Sequence, residues 1–110
     1  MHTVNLYKTI GISTGYEDEK HTVMLKRVVN LPFAPTEYIL LRLTDCEVGS
    51  NDEAERIVEV GYDLNDGEFY VNVLSEWFQK NIHTPQSVEQ LWDGMSEFVA
   101  NRLAEGWEVI

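Results

Sequence analysis

Apolar and polar residues alternate from the start of the chain. Val4, Leu6, Ile10 and Ile12 share one parity, and Thr3, Asn5, Tyr7 and Thr9 share the other. A period of two belongs to a half-buried strand, so residues 2–12 are expected to be extended. Lys8 interrupts the apolar parity and predicts a wet end or edge there. The polar, glycine-containing stretch 13–19 reads as a turn. Residues 20–31 read as a second strand with Val23, Leu25, Val29 and Leu31 on one face and Arg27 interrupting it, pairing with the first as a hairpin.

Pro32 and Pro35 take the chain out of the sheet, because proline lacks the ladder donor and extends its predecessor. Residues 36–44 are expected as a third strand, with Ile39, Leu41 and Leu43 on one face and Leu40 on the other. Apolar residues on both faces predict a central position. Residues 55–62 and 68–74 are two further strands joined by Asp63-Leu64-Asn65-Asp66-Gly67, a hairpin signal. Parity assigns Val58, Val60 and Tyr62, and Phe69, Val71 and Val73, to the core.

The remainder reads as helical. Trp77, Phe78 and Ile82 predict a short helix over 75–82, and residues 85–104 a long one. Thr84 is placed to cap that helix, Pro85 fits its first turn and Gly106 its end. At 100° per residue, Val88, Leu91, Trp92, Met95, Phe98, Val99 and Leu103 fall in an arc of about 140°. Residues 107–110 return as a last short strand. The expected fold is therefore α+β in a single domain, 1–110. An antiparallel sheet of five strands, six with the C-terminal one, packs one face on the long C-terminal helix. Leu91, Trp92, Met95, Phe98 and Val99 would meet Ile39, Leu41, Leu43, Val58, Val60, Phe69 and Val71.

Composition narrows the function. The chain has 110 residues, 44% apolar, enough for one core and far from disordered usage. The longest aliphatic run is three residues, as at Ile39–Leu41, against about 20 for a membrane-spanning helix. No basic start followed by an apolar stretch marks a secretory signal. The single cysteine, Cys46, excludes an internal disulfide and points to a reducing, cytoplasmic setting. Net charge is −11, and residues 45–76 hold ten acids against Arg56 alone, whereas residues 1–44 hold four acids and five bases. Such a charge disfavours direct binding to nucleic acid or an anionic membrane and favours a basic protein surface.

Chemical motifs are weak. Gly11-Ile12-Ser13-Thr14-Gly15 matches the nucleophile-elbow pattern, but an acidic run and a strand follow where a helix is required. Asp63–Gly67 fails the calcium-loop count, with glycine fifth and Leu74 twelfth. His2, His21 and His83 lack ligand spacing, and Cys46 has no basic neighbour. No catalytic residue, metal or cofactor is expected.

Three features favour recognition. Glu89, Asp93 and Glu97 recur every four residues on the helix face opposite the apolar arc, an unfavourable like-charge spacing. Glu59, Asp63, Asp66 and Glu68 surround the fourth and fifth strands, with Tyr70 on the face opposite Phe69 and Val71 as an aromatic anchor for cationic groups. Phe33 lies between two prolines. The expectation is a non-enzymatic acidic inhibitor or binding protein that occupies a basic protein surface. Its narrower form is a nucleic-acid mimic of the kind small phage inhibitors use. The alternatives are an assembly subunit pairing through an edge strand, with homodimerisation allowed, and a small-ligand or catalytic domain with a helix–sheet pocket.

Overall fold

A computed structural model describes residues 1–13, 20–42, 54–79 and 88–110. Among these, the elements in chain order are β1 (His2–Ser13), β2 (Lys20–Leu31), β3 (Leu40–Arg42), β4 (Ala54–Asp63), β5 (Glu68–Val73), β6 (Glu76–Gln79), α1 (Val88–Ala104) and β7 (Glu108–Val109). The strand order is β3-β4-β5-β1-β2-β7, and β6 also pairs with β1. The chain divides into two compact units: residues 1–7 with 26–74, and residues 8–25 with 75–110.

The sheet is mixed, which corrects the expected all-antiparallel arrangement. In the first unit β1 runs parallel to β5, with Val4 opposite Phe69 and Tyr7 opposite Asn72. In the second it runs parallel to β6, with Ile10 opposite Glu76 and Ser13 opposite Gln79. Alternation places side chains on faces identically in parallel and antiparallel strands, so the pattern could not reveal β1's partners. The register advances by one residue between the two ladders, as a bulge does. At that step the Leu74 N–H donates to the Arg56 carbonyl, 2.8 Å away.

Within the first unit, Val4, Leu6, Ile57 and Val71 are fully buried, with Val73 nearly so. β4 and β5 form the expected antiparallel hairpin, with Val60 and Tyr62 opposite Val71 and Phe69 as expected, but Val58 does not face the core and Ile57 does. A register irregularity between Ile57 and Glu59 is the cause. It turns Val58 outward and brings Ile57 onto the face of Val60 and Tyr62, opposite Val73, Val71 and Phe69; there Val60 is half-buried and Tyr62, at the strand end, packs edge-on against Phe69 while staying exposed. β3 covers three residues at one end of the strand order, not a central position. Tyr38 adopts φ 68°, a left-handed conformation that interrupts extension just before it. Leu41 is buried and Leu40 exposed, while Leu43 lies outside the described residues.

Within the second unit, Glu76–Gln79 of the stretch expected as a short helix form β6, because β1 supplies a partner for their backbone; residues 80–82 of that stretch lie outside the described residues. Trp77 lies across Gly11, where a Cβ would approach its ring to 2.3 Å. The motif glycine is thus a strand position that accommodates an aromatic ring. Helix α1 packs against β6. The expected docking of this helix on Ile39, Leu41, Val58, Val60, Phe69 and Val71 links residues that belong to different units. Met95 is buried, Phe98 and Val99 are half-buried and Leu103 is exposed; the side chains of Leu91 and Trp92, like Thr84 and Pro85, lie outside the described residues. Arg102 is buried in place of Leu103. Its Nη1 contacts Glu105 Oε2 at 2.8 Å and its guanidinium lies 4.6 Å from the Phe98 ring centroid.

The helix ends in a Schellman arrangement. The Trp107 N–H donates to the Arg102 carbonyl and the Gly106 N–H to that of Leu103. Trp107 is then buried and β7 follows. Lys8, expected at a wet edge, is 2% exposed, with Nζ 3.7 Å from Glu76 Oε1 and 5.9 Å from the Phe98 ring centroid. A buried ammonium requires such partners.

Candidate functional site

The residues that β1, β4 and β5 turn away from the first unit's core come together as rows across the strands. In one row Asp63 of β4 faces Glu68 of β5. In the next, Gly61 faces Tyr70, which faces Asn5 of β1. In the third, Glu59 faces Asn72, which faces Tyr7. Asp63, Glu68, Tyr70, Asn5, Asn72 and Tyr7 of these rows, with Asp66 from the β4–β5 turn and Lys26 from β2, line a groove of about 430 Å³.

Tyr70 is held by the absence of a side chain beneath it. A Cβ at Gly61 would fall 1.9 Å from Tyr70 Cζ, so the ring occupies the space above that glycine. It remains 42% exposed, available as an aromatic surface. Two carboxylates are oriented by carboxamides. Asn5 Nδ2 donates to Glu68 Oε2 at 3.1 Å and to the Phe69 carbonyl at 3.2 Å. Asn72 Nδ2 donates to Glu59 Oε2 at 3.2 Å. Asp63 Oδ1 accepts from the backbone N–H groups of Asn65 at 2.9 Å and Asp66 at 3.4 Å, an Asx turn that shapes the hairpin. Lys26 Nζ lies 5.8 Å from the Tyr7 ring centroid.

The electrostatics are unfavourable by design of the rows. Three carboxylates, Asp63, Asp66 and Glu68, line the groove against one ammonium, Lys26. Asp63 and Glu68 are cross-strand neighbours, and like charges so placed destabilise a sheet. Among the described residues no three His, Cys, Asp or Glu side chains form a group able to hold a metal ion.

Of the sequence-predicted contacts, Asp63, Asp66, Glu68 and Tyr70 therefore line one groove, and Glu59 lies beside it through Asn72. Asp93 and Glu97 are exposed on α1 in the other unit, and the Glu89 side chain lies outside the described residues. Among the described residues, the other acids of the tract do not line this groove. Glu55 is buried, Glu76 contacts Lys8, and Asp45, Glu47, Asp52 and Glu53 lie outside the described residues. Asn5, Tyr7, Lys26 and Asn72 complete the groove without having been singled out. The outward parity of Asn5 and Tyr7 was visible in the alternation, but their placement beside Tyr70 and Asn72 depends on the parallel register.

Gly11–Ser13 of the elbow-like motif is the end of β1, while Thr14, Gly15, Cys46 and His83 lie outside the described residues. His2 packs edge-on against Phe69. No helix among the described residues is long and apolar enough to cross a membrane. No family model, curated protein or solved structure matches this chain.

Proposed function

We propose that this protein is a non-enzymatic acidic binding protein whose groove over β4, β5 and β1 receives a cationic segment of another protein. The observation that carries the reading is the convergence of Asp63, Asp66 and Glu68 around Tyr70, with two of those carboxylates directly opposed. A cationic side chain entering the groove relieves that opposition and finds the exposed ring for a cation–π contact. The single cysteine agrees with a reducing, cytoplasmic setting. Mimicry of nucleic acid is the narrower form of the reading, in which the carboxylates stand in for phosphates.

The test uses an oligoarginine peptide and a neutral peptide of equal length, with affinities measured over a salt series. The basic peptide binds, and its affinity falls as salt screens the groove. Glu59→Lys combined with Asp66→Lys reverses two charges while sparing Asp63, which holds the turn. That variant folds normally and loses about 1–3 kcal/mol of binding. Equal affinity of native and reversed proteins contradicts the reading. Competition between this protein and a DNA or RNA duplex for one basic protein tests the mimicry form.

A further inference from the structure

We propose that Asp66 is a covalent modification site: its bond to Gly67 rearranges spontaneously to isoaspartate, at a rate governed by Asp63. Three observations carry this. Asp66 and Gly67 are both exposed in the β4–β5 turn. Gly67 has no side chain to shield its nitrogen, and the space where a Cβ would stand meets nothing nearer than Tyr62 Oη at 3.7 Å. The same nitrogen is engaged, because the Gly67 N–H donates to the Asp63 carbonyl at 2.8 Å.

The chemistry is a rearrangement without net change in mass. The Gly67 nitrogen gives up its proton and attacks Asp66 Cγ. A carbon–nitrogen bond forms, the Cγ–oxygen bond breaks and the oxygen leaves as water, carrying the nitrogen's proton and the proton of the carboxyl in its acid form, which closes a five-membered succinimide. Water then adds at either ring carbonyl. One opening restores aspartate; the other passes the main chain through Cγ and leaves isoaspartate. Nothing is oxidised or reduced.

Asp63 controls access to this route. While its carbonyl accepts the Gly67 N–H, and its Oδ1 accepts from Asn65 and Asp66, the nucleophile is tied and the turn is closed. Reaction proceeds from the opened turn, so its rate reports local opening. The product lengthens the hairpin turn by one main-chain carbon and moves a carboxylate that lines the groove.

The experiment incubates the full chain at neutral pH and maps isoaspartate by peptide mass spectrometry with an isoaspartyl-methyltransferase assay. Isoaspartate accumulates at residue 66 in the folded protein, about three- to tenfold more slowly than in the chain unfolded by guanidinium, a difference equal to one hydrogen bond. Asp63→Ala closes most of that gap, whereas Asp63→Asn, which keeps the Oδ1 acceptor, leaves the native rate. Asp66→Glu forms none, because its ring would need six members. The proposal is overturned if the folded protein forms no isoaspartate at 66 while the unfolded chain does. It is equally overturned if folded and unfolded rates coincide, or if Asn65 deamidates in place of isomerisation at Asp66.

Discussion

Lys8 and Arg102 in the second unit and the groove carboxylates in the first are treated in opposite ways. In the second, Lys8 and Arg102 are taken out of water and each is given a carboxylate and the ring of Phe98. In the first, carboxylates stay in a groove where Asp63 and Glu68 oppose one another. Buried charge without a partner would unfold a domain of this size, so pairing in the second unit serves the fold. Opposed charge at a surface costs little, and the repulsion between Asp63 and Glu68 itself adds nothing to the fold. The difference separates charges paired inside the structure from charges left opposed at its surface, which the proposed function assigns to a partner.

The largest expected effect lies on the structural side. Arg102→Ala removes a buried guanidinium, strands the Glu105 carboxylate and uncovers Phe98. A loss of about 2–4 kcal/mol is expected in denaturant unfolding. A loss below about 0.5 kcal/mol would show that Arg102 is only a surface pair, and the contrast between the units would fail.

On the groove side, Gly61→Val is expected to act through Tyr70. The new side chain displaces the ring, so affinity for a basic peptide falls by about 1–2 kcal/mol, as for Tyr70→Ala. Combining the two substitutions adds little, because both remove the same contact. Full additivity in that double-mutant cycle would mean that Gly61 does not act through the ring.

Asp63→Ala sharpens the comparison within one residue. The Asx turn loses two acceptor contacts, at a cost of about 1 kcal/mol, while the repulsion with Glu68 is relieved. Asp63→Asn keeps the turn and sheds the charge, and its stability therefore exceeds that of Asp63→Ala. Urea unfolding of the two variants side by side checks the order.

What was legible in the sequence follows the same physics. The faces of β1 were readable because Val4, Leu6, Ile10 and Ile12 alternate strictly, and the β4–β5 hairpin because Asp63–Gly67 is turn chemistry. The Schellman end was readable from Gly106. Parity failed at Val58, which one register irregularity turns outward, and at Lys8, whose burial depends on Glu76 and Phe98 far away in the chain. The strand at Glu76–Gln79 was read as helix because a short apolar run carries no decisive period. Asp63, Asp66, Glu68 and Tyr70 could be singled out together because one hairpin carries all four. Asn5, Tyr7 and Lys26 could not, since only the pairing of β1 brings them to that groove.

The central claim is that the groove's charge is held for binding at a small expense in stability. Glu68→Gln tests it most directly, because the carboxamide oxygen still accepts from Asn5 while the charge opposite Asp63 disappears. Measured on one preparation, unfolding stability should rise by about 0.2–1 kcal/mol while affinity for the oligoarginine peptide falls. Stability and affinity falling together would contradict the account, since Glu68 would then be a structural charge like those of the other unit.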